Sequence, residues 1–151
     1  MSRIRSLVLA FVGLLCVAVT ARAEVDSGPA VGTTASALKV QVVEDGRAKD
    51  AKDLLAEHAE HPTVYVFLSA EKFDRPAARY LRGVDEAVQK LQRKDPLAGL
   101  VVVWLAEDAD EAAERVTRIQ GSIRLLAATW TVYPGPVAGP DGWAVNDQAA
   151  V

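Results

Sequence analysis

Few side chains in this sequence are placed for chemistry, and the most suggestive group lies immediately before a long helical pattern. The group consists of Glu71, Lys72, Phe73, Asp74 and Arg75. Free backbone N–H groups at a helix amino terminus favour an anion, and an arginine there adds a charge-assisted contact. Asp74 has a second interpretation, because aspartate is a preferred N-cap that would satisfy the same N–H groups and repel an anion. We favour the cap and keep the five residues as candidate contacts for a ligand or partner.

Two histidines raise the question of a metal site. His58 and His61 are three residues apart and could share one helix face. Zinc sites normally add ligands from another element, and nothing obvious in the sequence supplies them. His61 also precedes Pro62, where helical geometry is disfavoured. We predict no metal site, no cofactor and no catalytic residue, since motifs for phosphate loops, serine hydrolases and zinc peptidases are missing as well.

Aromatic residues could line a groove for a peptide or a sugar. Phe67 and Trp104 lie in apolar runs and Tyr80 falls on the inner face of a helical pattern, which favours core positions for all three. Trp130 and Trp143 flank a stretch rich in proline and glycine, with Trp143 as the anchor of that loop. We expect this pair to be partly exposed and count both as candidate contacts.

The amino terminus has the three regions of a secretory signal. Arg3 and Arg5 precede an apolar run over residues 7–20, and a small-x-small site ends at Ala23. We predict cleavage after Ala23 and a secreted or periplasmic protein. A retained anchor is the alternative, although the run is shorter than the roughly 20 residues of a spanning helix. Lipidation of Cys16 is disfavoured, because a lipobox has a small residue where this sequence has leucine.

Cleavage would leave 128 residues, enough for one domain with a core of its own. The mature chain would hold 14 basic and 20 acidic residues, a net charge of about −6. Nucleic acid and anionic membranes are therefore poor partners. The single cysteine would leave with the signal, which excludes disulfides, thiol ligands and thiol catalysis in the mature protein.

The mature chain reads as a linker over residues 24–37 followed by one α/β domain over residues 38–151. Alternation predicts a strand over residues 38–43, and Asp50 is placed to cap a helix that ends near Pro62. Uncharged apolar runs at residues 63–68 and 100–105 predict two strands buried on both faces.

The pattern between these runs predicts an amphipathic helix with Pro76 in its first turn. Strands joined in this way are expected to be parallel, with a right-handed crossover. A further helix is predicted from the acids at residues 107–111 to Gly121, where glycine favours termination. Beyond it we expect a strand or irregular apolar segment over residues 122–132, a loop over residues 133–142 and a strand beginning at Ala144.

This order of strands and helices resembles the thioredoxin-like fold over residues 38–151. The resemblance implies a three-layer α/β/α sandwich with a mixed central sheet and a functional turn before the second helix. In thioredoxins that turn carries Cys-x-x-Cys, whereas Phe73 and Pro76 stand about where the two cysteines would be. Dithiol oxidoreductase and cysteine peroxidase activities are thus excluded for the mature chain. The usual final hairpin is also missing, which predicts an open sheet edge able to accept a protein partner strand.

Three hypotheses about function follow. The first is an exported thioredoxin-like domain without redox activity that acts as a binding or structural module, through residues 71–75 and 122–143. The second is an enzyme with a non-thiol site at the turn, in which Asp74→Ala and Arg75→Ala would abolish turnover without unfolding the chain. The third is a shortened relic of a longer thioredoxin-like protein, which predicts poor solubility and an exposed edge.

Overall fold

A computed structural model describes residues 28–69, 71–136 and 138–145. The predicted signal peptide and the predicted strand beyond Val145 lie outside these residues. Residues 28–37, the described part of the predicted linker, contain neither helix nor strand. Later residues form five strands, β1 Lys39–Glu44, β2 Arg47–Asp53, β3 Thr63–Ser69, β4 Gly99–Ala106 and β5 Ala128–Pro134. They also form three helices, α1 Leu54–Glu57, α2 Arg75–Gln92 and α3 Ala109–Ile123.

The strands form one mixed sheet in the order β2-β1-β5-β4-β3. β3, β4 and β5 are parallel, while β1 is antiparallel to both of its neighbours, β2 and β5. The prediction of an α/β fold is confirmed at this level. β5 lies at the centre of the sheet, between β1 and β4. It falls largely within residues 122–132, which were predicted as a strand or an irregular apolar segment.

The helix predicted from Asp50 is wrong, because these residues form the hairpin strand β2. Asp45 and Gly46 both have positive φ values, 51° and 79°, which suits the two-residue turn of a hairpin. β2 consists of five charged residues and two alanines, so it has no apolar face for a helix to bury. The cap is Asp53, whose Oδ1 accepts hydrogen bonds from the N–H groups of Leu55 and Ala56 and starts the single turn of α1.

The predicted unit of two parallel strands and a connecting helix is confirmed. β3 pairs with β4 in parallel from Thr63↔Gly99 to Ser69↔Leu105. α2 begins at Arg75, with Pro76 in its first turn, and its apolar side packs on the sheet. β4 is buried on both faces as predicted. β3 is not, because it lies at the sheet edge and only Val66 and Leu68 are fully buried along it.

The last helix and strand differ from the prediction in their bounds. α3 continues past Gly121 and ends where Arg124 adopts the left-handed conformation, with φ of 36°. Asp108 caps its first turn by accepting from the N–H groups of Asp110 and Glu111. β5 then extends to Pro134, so the predicted loop begins two residues later than expected.

The two faces of the sheet are covered differently. α2 and α3 pack on the same face, where Leu81, Val116, Leu100, Val102 and Trp104 belong to one core cluster. The opposite face carries a smaller cluster built from β1, β4, Leu54 of α1 and Trp143. Within the described residues, the third layer expected from the resemblance is therefore reduced to one helical turn and a loop.

The topology also departs from the expected order of elements. The sheet opens with the β1–β2 hairpin, where a strand and a full helix were predicted. The strand before the turn at residues 71–75, β3, is an edge strand, and no other strand of the described residues lies beyond it. None of the described helices is long and apolar enough to cross a membrane.

Candidate functional site

The turn at residues 71–75 caps α2 and packs against the core. Asp74 Oδ1 accepts a hydrogen bond of 2.9 Å from the N–H of Ala77, which confirms the capping interpretation. Phe73 is half-buried, and its ring centroid lies 5.0 Å from that of Trp104. Glu71, Lys72 and Arg75 are half-exposed or exposed around it. The Asp74 carboxylate thus satisfies the N–H of Ala77, and its negative charge opposes binding of an anion at this terminus.

The two tryptophans expected to be partly exposed are buried. Of the three aromatic residues predicted to be core, Trp104 is fully buried and Phe67 packs against the core, whereas Tyr80 is exposed. Trp130 is 6% exposed and Trp143 is 5% exposed, and they lie in the clusters on opposite faces of the sheet. Trp130 stacks at 6.3 Å on Trp104, so neither candidate can form a shared contact surface. Tyr80, predicted to be core, is 51% exposed. The reason is that α2 lies over the edge of the sheet, where one side of the helix has no strand beneath it.

The two histidines make separate contacts. His61 Nδ1 lies 3.3 Å from Oδ1 of Asp95, while His58 lies beside Gly99. Across the described ranges, no group of three or more histidine, cysteine or acidic residues is placed to hold an ion. Glu71 and the acids at the start of α3 line a shallow cleft with Arg115, and Asp108 in that group already serves as a cap.

The two edge strands of the sheet, β2 and β3, differ in charge and in the regularity of their pairing. β2 carries five charged residues of both signs among seven, and its pairing with β1 is interrupted by a register shift. Charges and irregularities of this kind protect an edge against further strands. β3 reads Thr-Val-Tyr-Val-Phe-Leu-Ser and has no charge at all. Of the two edges, β3 is the one that remains suited to pairing.

Backbone N–H and C=O groups along β3 point alternately toward β4 and away from it. The N–H of Gly99 donates to the carbonyl of Pro62, so residues 62, 64, 66 and 68 direct their backbone groups toward β4. The N–H and C=O groups of Thr63, Tyr65 and Phe67 then point away from the sheet. No strand of the described part of the chain lies on that side. This row of donors and acceptors repeats at the spacing that an added strand would need.

An apolar groove runs between α2 and this edge. One wall is a helical stripe, and Val64 of β3 lies at its base with 39% of its surface exposed. The stripe recurs at intervals of three and four residues and so occupies one side of α2. Its members are Pro76, Arg79, Tyr80, Gly83, Val84, Ala87, Val88 and Leu91. A strand paired with β3 would place alternate side chains in this groove.

Three arginines form a stripe beside the groove, on the amino-terminal half of α2. Arg75, Arg79 and Arg82 are exposed and line a shallow cleft that also includes Ser122 near the end of α3. Arg79 lines both the cleft and the apolar groove. Within residues that the structure describes, none of the three forms an ion pair. The groove is thus apolar at its base and positively charged along one rim.

Tyr65 on β3 provides a test of the packing behind this edge. Its hydroxyl donates to the carbonyl of Leu54 at 3.2 Å. Burial, and secondarily the Asp53 carboxylate, raise the pKa of Tyr65 above its ordinary value of 10.0. The folded state therefore retains this proton to a higher pH than the unfolded chain does. The contribution to stability is complete below pH 10 and is lost as the pH rises through the folded-state pKa.

We expect the free energy of unfolding to fall more steeply above pH 10 in the native protein than in a Tyr65→Phe variant. Urea unfolding between pH 8 and pH 11 measures both curves. Loss of the hydroxyl should also lower stability at pH 8 by about 0.5–1.5 kcal/mol. Tyr80→Phe is the matched control, because that side chain is half exposed. Curves of equal slope for the native protein and Tyr65→Phe would contradict this prediction.

The features that could bind a partner thus meet at one side of the molecule: an uncharged edge strand, an apolar groove and a basic rim. Sequence patterns indicated Arg75 as a candidate contact, while Val64, Arg79, Tyr80 and Arg82 were not among the candidates. The regular recurrence of arginine at residues 75, 79 and 82 is the signal that could have found part of this surface. Compared with protein-family models, with characterised proteins and with solved structures, the chain gives no match.

Proposed function

We propose that this protein is an exported binding module that accepts an extended segment of a partner protein as an additional strand beside β3. The observation that carries the proposal is the contrast between its two sheet edges. β2 is protected by charges and a register shift, whereas β3 is uncharged and presents backbone groups that no strand of the described residues pairs with. Strand addition uses such groups for affinity and side-chain pockets for specificity.

The groove supplies the second requirement of this mode of binding. Side chains of an added strand alternate between the two faces of the sheet. Those on the α2 face would meet Val64, Tyr80 and Val84 at the bottom and wall of the groove. Val64 and Tyr80 are two of the large apolar residues that the fold leaves exposed, and burying them on binding is favourable.

A second copy of this chain fits the surface less well. Two β3 strands related by a two-fold axis would run antiparallel and bring the two α2 helices side by side. Arg79 and Lys90 are eleven residues apart, about three turns, so they lie on one side of α2. In such a dimer Arg79 of one copy would face the carboxyl-terminal half of the other α2, where the exposed charges Lys90 and Arg93 outnumber Glu86. Like charges facing each other oppose this arrangement and favour a different protein as the partner.

Export and the thioredoxin-like relationship belong to the same proposal. Export is supported by the three-part amino-terminal signal pattern over residues 1–23. The relationship is supported by the β3-α2-β4 unit and its cysteine-free turn, while the initial hairpin and the placement of both helices on one face weigh against it. Because the single cysteine lies in the predicted signal, the mature chain would have no thiol, and the proposed activity is binding and not thiol chemistry.

We expect a displayed library of random peptides, selected on the immobilised protein, to yield sequences that bind as strands. The best peptide is then synthesised in two forms, each N-methylated at one of the two alternating sets of residues. Methylation of the set that faces β3 should abolish binding because it removes the N–H donors, and methylation of the other set should be tolerated. Calorimetric titration measures each affinity.

A Val64→Lys variant provides the corresponding change on the protein, since it places a charge at the base of the groove. We expect it to bind the selected peptide at least tenfold more weakly, while Lys49→Ala on the opposite edge binds normally. Equal sensitivity to both methylation patterns would reject strand addition. Failure of any peptide to be enriched would reject the binding module itself, and a dimer that Val64→Lys dissociates would identify a second copy as the occupant.

A further inference from the structure

The arginine stripe is placed where it does not help its own helix. Arg75 is the first residue of α2, and positive side chains at a helix amino terminus oppose the macrodipole. Arg75 and Arg79 are four residues apart, and Arg79 and Arg82 are three apart, so each pair places like charges on adjacent turns. Both arrangements lower helix stability by tenths of a kcal/mol. A pattern that opposes local stability is expected mainly at functional sites.

The surroundings do not neutralise these charges. The described part of the chain gives none of the three arginines a carboxylate within ion-pair distance. Asp74 is adjacent in sequence, but its carboxylate is engaged as the cap of α2. Asp85 is 4% exposed and accepts three hydrogen bonds elsewhere, and Glu86, four residues after Arg82, is exposed and forms no ion pair with it among the described residues. The stripe is therefore a positive surface in a protein whose overall charge is negative.

The stripe lies at one end of the surface proposed to bind a strand. Arg79 lines the groove together with Pro76 and Tyr80, whereas Val88 and Leu91 line its other end. The three arginines of the stripe are spaced over about two turns and so cover roughly 10 Å of α2. That length corresponds to about three residues of an extended strand. Arginine binds carboxylates through two parallel hydrogen bonds, which adds direction to the attraction.

We infer that the segment accepted by β3 carries acidic residues at the end that lies beside Arg79, next to a stretch of alternating apolar side chains. This inference rests on the proposed function and adds the chemistry of the partner to it. The apolar side chains occupy the groove, and the carboxylates pair with Arg79 and its neighbours in the stripe. The acidic cleft lined by Glu71, Glu107 and Glu111 shares no residue with the groove or with the cleft that the three arginines line.

The test compares the peptides selected on this protein with the unselected library. Aspartate and glutamate should be enriched at one end of the selected sequences, beside the alternating apolar positions. Arg79→Gln should weaken binding of the best peptide roughly three- to fivefold, and the triple variant with Arg75→Gln and Arg82→Gln should weaken it further. Arg47→Gln is the matched control, because it makes the same charge change on β2 at the opposite sheet edge.

A double-mutant cycle tests the pairing of a peptide carboxylate with Arg79 separately from the addition of the peptide as a strand. Glutamate in the peptide is changed to glutamine, and affinities are measured with the native protein and with Arg79→Gln at two salt concentrations. Non-additive losses that shrink at high salt support the ion pair. Peptides that bind as strands but lack acidic residues, or that are insensitive to Arg79→Gln, overturn this inference and leave the proposed function standing. Absence of any strand-like binder overturns both.

Discussion

Replacing Trp143 with alanine is expected to lower the free energy of unfolding by about 3–5 kcal/mol, the usual cost of removing a buried indole. Trp143 is 5% exposed and lies between the rings of Tyr65 and Phe67, with centroids at 5.3 Å and 5.2 Å. Its Nε1 donates to the carbonyl of Ser36 at 3.0 Å. The indole therefore contacts both the back of β3 and the segment before β1, and its hydrogen bond to Ser36 spans 107 residues of sequence.

Urea unfolding measures this loss, with the slope of the transition serving as a check on two-state behaviour. Trp143→Phe should lose less, because an aromatic ring still fills part of the site. Leu126→Ala is the control for a large apolar residue that is 81% exposed, and it should change stability by less than about 0.5 kcal/mol. If Trp143→Ala behaved like this control, the loop carrying Trp143 would not be part of the core.

Replacing Asp85 with alanine is expected to cost about 2–4 kcal/mol. Asp85 is 4% exposed, and its carboxylate accepts from Ala127 N at 2.8 Å, from Leu126 N at 3.2 Å and from Gln89 Nε2 at 2.6 Å. Hydrogen bonds to a charged group contribute about 1.5–3 kcal/mol, and the stranded donors add a desolvation penalty. Through these bonds, a helix residue positions the chain immediately before β5.

The same urea measurement tests Asp85, with Glu86→Ala as the matched control. Glu86 is the next residue on α2 and is exposed, so its removal should change stability by less than about 0.5 kcal/mol. Asp85→Asn should be intermediate, because one oxygen can still accept while the amide nitrogen faces a second donor. Equal stability of Asp85→Ala and Glu86→Ala would show that the three hydrogen bonds contribute no net stability.

Both residues also define the proposed binding surface. Trp143 supports β3 from the face opposite the groove, and Asp85 ties α2 to the segment before β5. The groove between α2 and β3 thus has both of its walls held by buried contacts made elsewhere. A surface formed in this way is largely preformed, which reduces the ordering cost of binding.

Much of the architecture was predictable from local patterns. Uncharged β-branched runs predicted β3 and β4, and a regular apolar stripe after Asp74 and Pro76 predicted α2 with its cap. These signals are reliable because they depend on residues close in sequence. β2 was missed for the opposite reason. Its charges and alanines carry no strand pattern, and pairing with β1 through the Asp45-Gly46 turn decides its conformation.

Contacts between distant residues decided which side chains are exposed. Sequence could not distinguish Tyr80 from a core residue, because its exposure depends on α2 lying at the sheet edge. Trp130 was expected to be partly exposed and is buried because β5 is inserted between β1 and β4. Trp143 was also expected to be partly exposed and is buried against Tyr65 and Phe67 on the opposite face of the sheet.

The sequence by itself determined that the chain has a single cysteine and no Cys-x-x-Cys motif, and it predicted the α/β class and the parallel β3-α2-β4 unit, since these follow from composition and local periodicity. Only the tertiary structure decided the strand order, and with it the edge that remains open. The order depends on which strands bury the most apolar surface together, a property of pairs far apart in the chain. That choice placed uncharged β3 at the edge and brought Val64, Tyr80 and Arg79 to one surface.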